Sequence, residues 1–331
     1  MSAPQLADEV GSPAQSVQRD PENIPKRGIV NTTTTEMITH TLDTPGATLT
    51  YDVRNKDIST GAASTKLVLI GFPMAAAGFG TLANHFTDRT VVTCDPRGSE
   101  RIVKTDPTRQ ATPDDHADDL HRLIQAIGGG PVDLFATSGG AVNAFALVSK
   151  HPEDVRTLVA HEPPLASILD DREHALTACR AVYESYQQRG WGAGMAHFFT
   201  VVSHRGPFTA DLVSQPAPDP AAFGMPTEDD GSRTDPMLGE SIVTITHYEP
   251  DFEALRAAST RIVVAAGEKS EGEMANRGAY AAAERLGVEP VAFPSDHGGF
   301  LGGEYGQTGD PDAFAEKLRQ VLSEAEEKEA G

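Results

Sequence analysis

A chain of 331 residues with 27 basic against 48 acidic side chains carries a formal charge of −21 and has no Lys/Arg cluster. That field repels nucleic acid and anionic membrane surfaces, so neither is an expected partner. The length suits one large domain, or a core with an insertion, able to bury a substantial interior.

No stretch is apolar for long enough to span a bilayer, and the N-terminus lacks the apolar core of a signal peptide. The cytoplasm is therefore the expected compartment. Cys94 falls in an expected strand and Cys179 in an expected helix, which argues against a disulfide framework and against a cysteine metal site.

Residues 1–36 are rich in Pro, Ser, Gln and Thr without periodicity and read as a mobile leader. Two strands follow, at 38–42 and 47–53. Strand–helix units come next: strand 66–71 with helix 78–86, strand 90–94 with helix 113–127, strand 132–137 with helix 141–150, and strand 156–161. There the alternation stops. Residues 165–251 offer helical pieces at 171–189 and 192–204 and then the loop-like Ser214-Gln215-Pro216-Ala217-Pro218-Asp219-Pro220. It resumes with strand 261–266, helix 276–286, strand 290–293 and helix 311–325, which ends in an acidic run.

This order predicts an α/β fold with a doubly wound, mostly parallel sheet of eight strands. The core is assigned to 37–164 and 252–322, an inserted and mainly helical cap to 165–251, and an acidic tail to 323–331.

The chemistry is concentrated in Val132-Asp133-Leu134-Phe135-Ala136-Thr137-Ser138-Gly139-Gly140-Ala141-Val142. An apolar strand ends in a serine, and a helix follows at once. Ala136 and Gly140, two before and two after the serine, are small, as a turn this sharp requires. Ser138 is thereby presented at a helix N-terminus, where backbone N–H groups and the helix dipole favour a developing oxyanion.

With this elbow and its surroundings, the chain from about 37 to 322 resembles the α/β-hydrolase superfamily. Leu69-Ile70-Gly71-Phe72-Pro73-Met74 is similar to the loop that supplies an oxyanion-hole amide in that family, with Ile70 in place of the usual histidine. Asp95-Pro96-Arg97-Gly98 is similar to its structural Asp-x-Arg-Gly turn. Ser295-Asp296-His297-Gly298-Gly299 follows the last strand, where the family carries its catalytic histidine.

The resemblance implies Ser138 as nucleophile and His297 as base. It also implies backbone amides of Gly139 and Phe72 as the oxyanion hole, with Met74 as the alternative to Phe72. The chemistry then needs a carboxylate to orient and stabilise the imidazolium. Most relatives carry an Asp after the seventh strand, but Ser270 stands there in Ala266-Gly267-Glu268-Lys269-Ser270-Glu271. A minority branch, including lactone hydrolases of the zearalenone-hydrolysing type, carries the acid after the sixth strand. Here that strand ends in His161-Glu162-Pro163-Pro164, so Glu162, 24 residues after Ser138, is the assigned acid. Glu268 and Glu271 are held in reserve. Adjacent strand residues point to opposite faces, so His161 is expected to turn away if Glu162 faces the site.

The expected protein is a serine hydrolase cleaving a carboxylic ester or lactone of small-molecule size, with no metal or organic cofactor. Two alternatives stay open. One is other acyl chemistry on the same groups (carbon–carbon or amide hydrolysis, perhydrolysis); the other is a non-catalytic ligand-binding homologue that has lost its acid. Trp191, Met195, Phe198, Phe199 and Tyr248 would either line a substrate pocket or pack the cap. The oligomeric state is not legible.

Overall fold

Exposed and half-buried residues alternate along β1 (Met37–Thr44), the mark of a strand with one face in solvent. Gly46, at φ 86°, turns the chain directly into β2 (Ala47–Arg54), which pairs antiparallel with β1 from Met37↔Arg54 to Thr44↔Ala47. The strands that follow are buried from end to end: β3 (Leu67–Phe72) and β4 (Val91–Cys94). Parallel strands read this way because helices cover both of their faces.

The computed structural model describes residues 37–55, 65–104 and 110–330, so the leader expected at 1–36 lies outside the described residues. Between β3 and β4 comes α1 (Gly80–Asn84), entered through a single 3-10 turn at Ala76–Phe79. The two-residue β5 (Val103–Lys104) pairs with β2. α2 (Pro113–Ala126) starts from a reciprocal cap. The Thr112 hydroxyl accepts from the Asp115 N–H while the Asp115 carboxylate accepts from the Thr112 N–H, with Pro113 at the first helical position.

β6 (Val132–Ser138) runs straight into α3 (Gly139–Lys150), and β7 (Val155–His161) follows. Then come α4 (Arg172–Arg189), α5 (Trp191–Val202), α6 (Ala210–Val213), α7 (Ile242–Thr246) and α8 (Phe252–Ala257). β8 (Arg261–Gly267), α9 (Met274–Leu286), β9 (Val291–Phe293) and α10 (Pro311–Ala330) complete the chain. The acidic run expected as a tail is thus the end of α10.

The sheet order is β1-β2-β4-β3-β6-β7-β8-β9, with β5 beside β2, and every pair from β4 to β9 is parallel. The sheet has nine strands rather than the expected eight. The extra one, β5, is too short to leave a sequence pattern, and it makes the strand counted sixth above β7 here.

Alternate residues of β6 serve the two faces. Leu134 and Ala136 join a cluster with Leu120 and Leu123 of α2, Phe145 of α3 and Ala279 of α9. Phe135 points the other way into Phe79, Phe293, Phe300, Phe314 and Leu318. The helices between β7 and β8 carry a core of their own, built on Ala175, Cys179, Val182, Tyr186, Phe208 and Leu238. Both cysteines are free and buried. Among the described residues, no helix is long and apolar enough to cross a membrane.

Candidate active site

Ser138 is the last residue of β6 and adopts φ 56°, ψ −132°, a left-handed backbone held by a non-glycine residue. Such a conformation costs about 1–3 kcal/mol and persists only where its surroundings fix it. Here they do so by close packing. A Cβ on Gly140 would lie 2.9 Å from the Gly71 Cα, and one on Gly139 would lie 2.9 Å from the Phe72 ring and 3.0 Å from its carbonyl oxygen. Ala136 is completely buried. The β3–β6 register sets Phe72 opposite Ser138 at the last rung of the ladder. Phe72, Ser138 and Gly139 therefore meet at the carboxyl edge of the sheet, where α/β proteins collect ligands.

The same edge carries Glu162 and His297. Glu162 is fully buried and follows β7 with φ 47°, and its carboxylate is saturated. Oε1 accepts from the Gly267 N–H at 2.8 Å, from the Asn276 side-chain amide at 3.2 Å and from the Ser270 hydroxyl. Oε2 faces His297 Nδ1 at 2.6 Å. With Glu162 ionised the proton of that bond sits on Nδ1, which leaves Nε2 of His297 as the free lone pair.

Burial opposes ionisation of Glu162, but the His297 hydrogen bond and charge and the Ser270 hydroxyl hold its carboxyl well below the ordinary range. Burial likewise disfavours the His297 imidazolium. The hydrogen bond to Glu162 and the charges of Glu162, Glu273 and Asp296 outweigh it and raise its pKa.

Ser270, at the position where most relatives carry an Asp, donates to the buried Glu162 carboxylate. Ser270→Ala is expected to lower the unfolding free energy by about 1.5–3 kcal/mol at pH 7, the scale of a hydrogen bond to a buried charge. The urea midpoint at unchanged slope reads this directly. Because the pKa of Glu162 is depressed on folding, the stability it contributes is fully present above the unfolded carboxyl value and lost as pH falls through the folded one. The gap between wild type and variant should therefore close in acid.

Asn276 was not singled out in the sequence. It lies in the first turn of α9, 114 residues from Glu162, and no local pattern announces such a contact. The reserve acids Glu268 and Glu271 are exposed, and the carboxylate against His297 is that of Glu162.

His161 departs in part from expectation. It does turn into the phenylalanine layer, with Phe135, Phe293, Phe300 and Phe314 around it. The positive φ of Glu162 ends strand alternation there, however, and the His297 ring lies over that of His161 at 5.9 Å and 27°. His161 bonds Thr137 through Nδ1 at 3.0 Å, and burial lowers its pKa to about 4, so it is neutral at pH 7. Thr137 adjoins Ser138, so this contact links the elbow to the His297 loop.

Asp95 behaves as a structural residue. Its carboxylate accepts from the Ala76 N–H at 2.7 Å and from Arg101 Nε at 2.5 Å, tethering the loop that follows Phe72. Arg97 is bound to Asp119. Met74 packs beside Gly71 and Gly78. Of the aromatic and sulfur-bearing residues between β7 and β8, Met195 and Phe198 pack on the helical core, whereas Trp191 and Phe199 are exposed on α5. Tyr248 packs against the sheet core.

A family model for the α/β-hydrolase fold matches residues 67–200. The chain is 31% identical over 265 residues to the uncharacterized hydrolase YraK of Bacillus subtilis, covering 78% of this chain and 89% of that one. Among solved structures it is similar to a thermophilic esterase from Thermogutta terrifontis, with TM-score 0.59 and 18% identity over 88% of this chain and 99% of that one. It is similar also to the enol-lactonase of Burkholderia xenovorans, with TM-score 0.59 and 16% identity over 86% of this chain and all of that one. At those identities the two structures speak for the fold alone. The chain belongs to the α/β-hydrolase family.

Proposed function

We propose that this α/β hydrolase is a serine hydrolase that cleaves a carboxylic ester or a lactone through Ser138, His297 and Glu162. The observation that carries the reading is the buried Glu162 carboxylate, bound to His297 Nδ1 at 2.6 Å beside the strained elbow.

In this reading Nε2 of His297 takes the Ser138 proton as Oγ attacks the carbonyl. The amides of Gly139 and Phe72, at the last rung of β3 and β6, receive the oxyanion. His297 then protonates the leaving alkoxide. In a lactone that alkoxide stays tethered to the acyl group. Water, deprotonated by His297, releases the acid from Ser138. Glu162 stays ionised throughout and balances the imidazolium. The helical segment 165–251 acts as the cap that shapes the acyl pocket.

The three donors on Glu162 Oε1 favour catalysis over a binding protein that has lost its acid, because they hold a carboxylate in the orientation a triad needs. The enol-lactonase and esterase folds are compatible with either substrate class.

A pH-stat panel of short- and medium-chain aryl esters against five- to fourteen-membered lactones tests the assignment. Stoichiometric acid release from at least one series, absent in Ser138→Ala, is the expected result. No turnover of either series would turn the assignment toward other acyl chemistry or ligand binding.

A further inference from the structure

We propose that His121, His151 and Asp154 form a binding site for a divalent transition metal of the zinc class, at the edge of the sheet remote from Ser138. His121 lies on α2, His151 caps the C-terminus of α3, and Asp154 closes the single turn that leads into β7. One ligand atom from each of the three lies within 4.8 Å of the other two.

Asp154 is almost fully buried, at 1% exposure. One of its oxygens accepts from the Gln125 side-chain amide at 3.1 Å and the other faces His121 Nδ1 at 2.6 Å. The two imidazoles are stacked 3.8 Å apart at 14°.

Two imidazole nitrogens and one carboxylate make a donor set for Zn²⁺, Co²⁺ or Ni²⁺ rather than for Mg²⁺ or Ca²⁺, which take oxygen shells. Bond lengths near 2.1 Å put tetrahedral ligand atoms about 3.4 Å apart, so the His121–Asp154 pair, at 2.6 Å, has to open while the His151 nitrogen, within 4.8 Å of both, closes in. The parallel rings must splay for both lone pairs to converge, and His151 is free to turn. Its side chain is 28% exposed, and among the described residues its Nδ1 faces the exposed Glu153 at 3.5 Å. That glutamate is placed to orient the ring through the nitrogen not used for the metal. The ion replaces the proton between His121 and Asp154, which leaves to solvent. A fourth position opens to water on the exposed side.

The site lies far from the hydrolytic groups. α3 has 12 residues between Ser138 and His151, about 18 Å of helix. The 7 residues of β7 separate Asp154 from Glu162, about 23 Å of strand. A bound ion would therefore clip α2, α3 and β7 together and stabilise the fold by mass action without entering the reaction at Ser138.

The test is calorimetric titration of the chelator-treated full chain with Zn²⁺, with Tm followed in Zn²⁺ and in Mg²⁺. One Zn²⁺ per chain, a Tm that rises with Zn²⁺ but not with Mg²⁺, and at least about a 10-fold weaker affinity in His151→Ala are expected. Ester hydrolysis by that variant should be unchanged. His121→Ala combined with His151→Ala, both on partly exposed rings, should abolish the binding. The chain holds 11 histidines, so the double variant decides whether these two are responsible. No saturable Zn²⁺ binding by the wild type, or equal binding by the double variant, would overturn the proposal.

Discussion

Replacing Ser138 by alanine is expected to lower kcat on the best ester or lactone substrate by about 10⁶-fold, the scale set when a triad nucleophile is removed. The fold should survive. Ser138 is strained at φ 56°, and alanine places the same Cβ in the same backbone while losing only the hydroxyl. A residual rate about 10³–10⁴ above that in water should persist, because amides at the oxyanion hole and substrate binding act without the nucleophile. Steady-state kinetics beside a thermal melt separate the outcomes. Lost activity with an unchanged Tm assigns the serine to chemistry, and a collapsed Tm would assign it to structure.

Glu162→Gln should cost about 10⁴-fold in kcat at neutral pH. Glutamine keeps the shape but presents either an amide, which cannot stabilise an imidazolium, or a carbonyl with no net charge. A second effect is more diagnostic. In the wild type the pKa of His297 is raised, with Glu162 the main opponent of the burial that would lower it. The base works only when neutral, so activity falls as pH drops through that raised pKa. Without the Glu162 charge, desolvation prevails and the pKa of His297 moves down. The acid limb of kcat/KM should therefore shift to lower pH in the variant even as the plateau falls. A merely structural glutamate would lower the plateau and leave the limb in place.

The parts of this site that are local in the chain were legible in the sequence. The elbow is five consecutive residues whose small side chains answer to one steric demand. Strand–helix alternation fixed which edge of the sheet they occupy, and the resemblance to a branch with its acid one helix and one strand after the serine pointed to Glu162. What is not local was not legible. Asn276 meets Glu162 only because α9 packs against the end of β7, and Ser270 reads in the sequence as a missing acid until the Glu162 carboxylate is seen to need a donor there. The contact of His297 with His161 depends on the left-handed backbone at Glu162, which a residue followed by Pro163 and Pro164 does not disclose. β5 was missed because two residues carry no periodicity.

In the proposed mechanism Ser138 is a nucleophile activated by His297 and Glu162. The most direct test is intact-mass analysis after exposure to a small fluorophosphonate, with peptide mapping of the adduct. One adduct per chain on Ser138 is expected, formed at a rate that collapses in Glu162→Gln. A wild-type chain that stays unlabelled, or an adduct on any other residue, would contradict it.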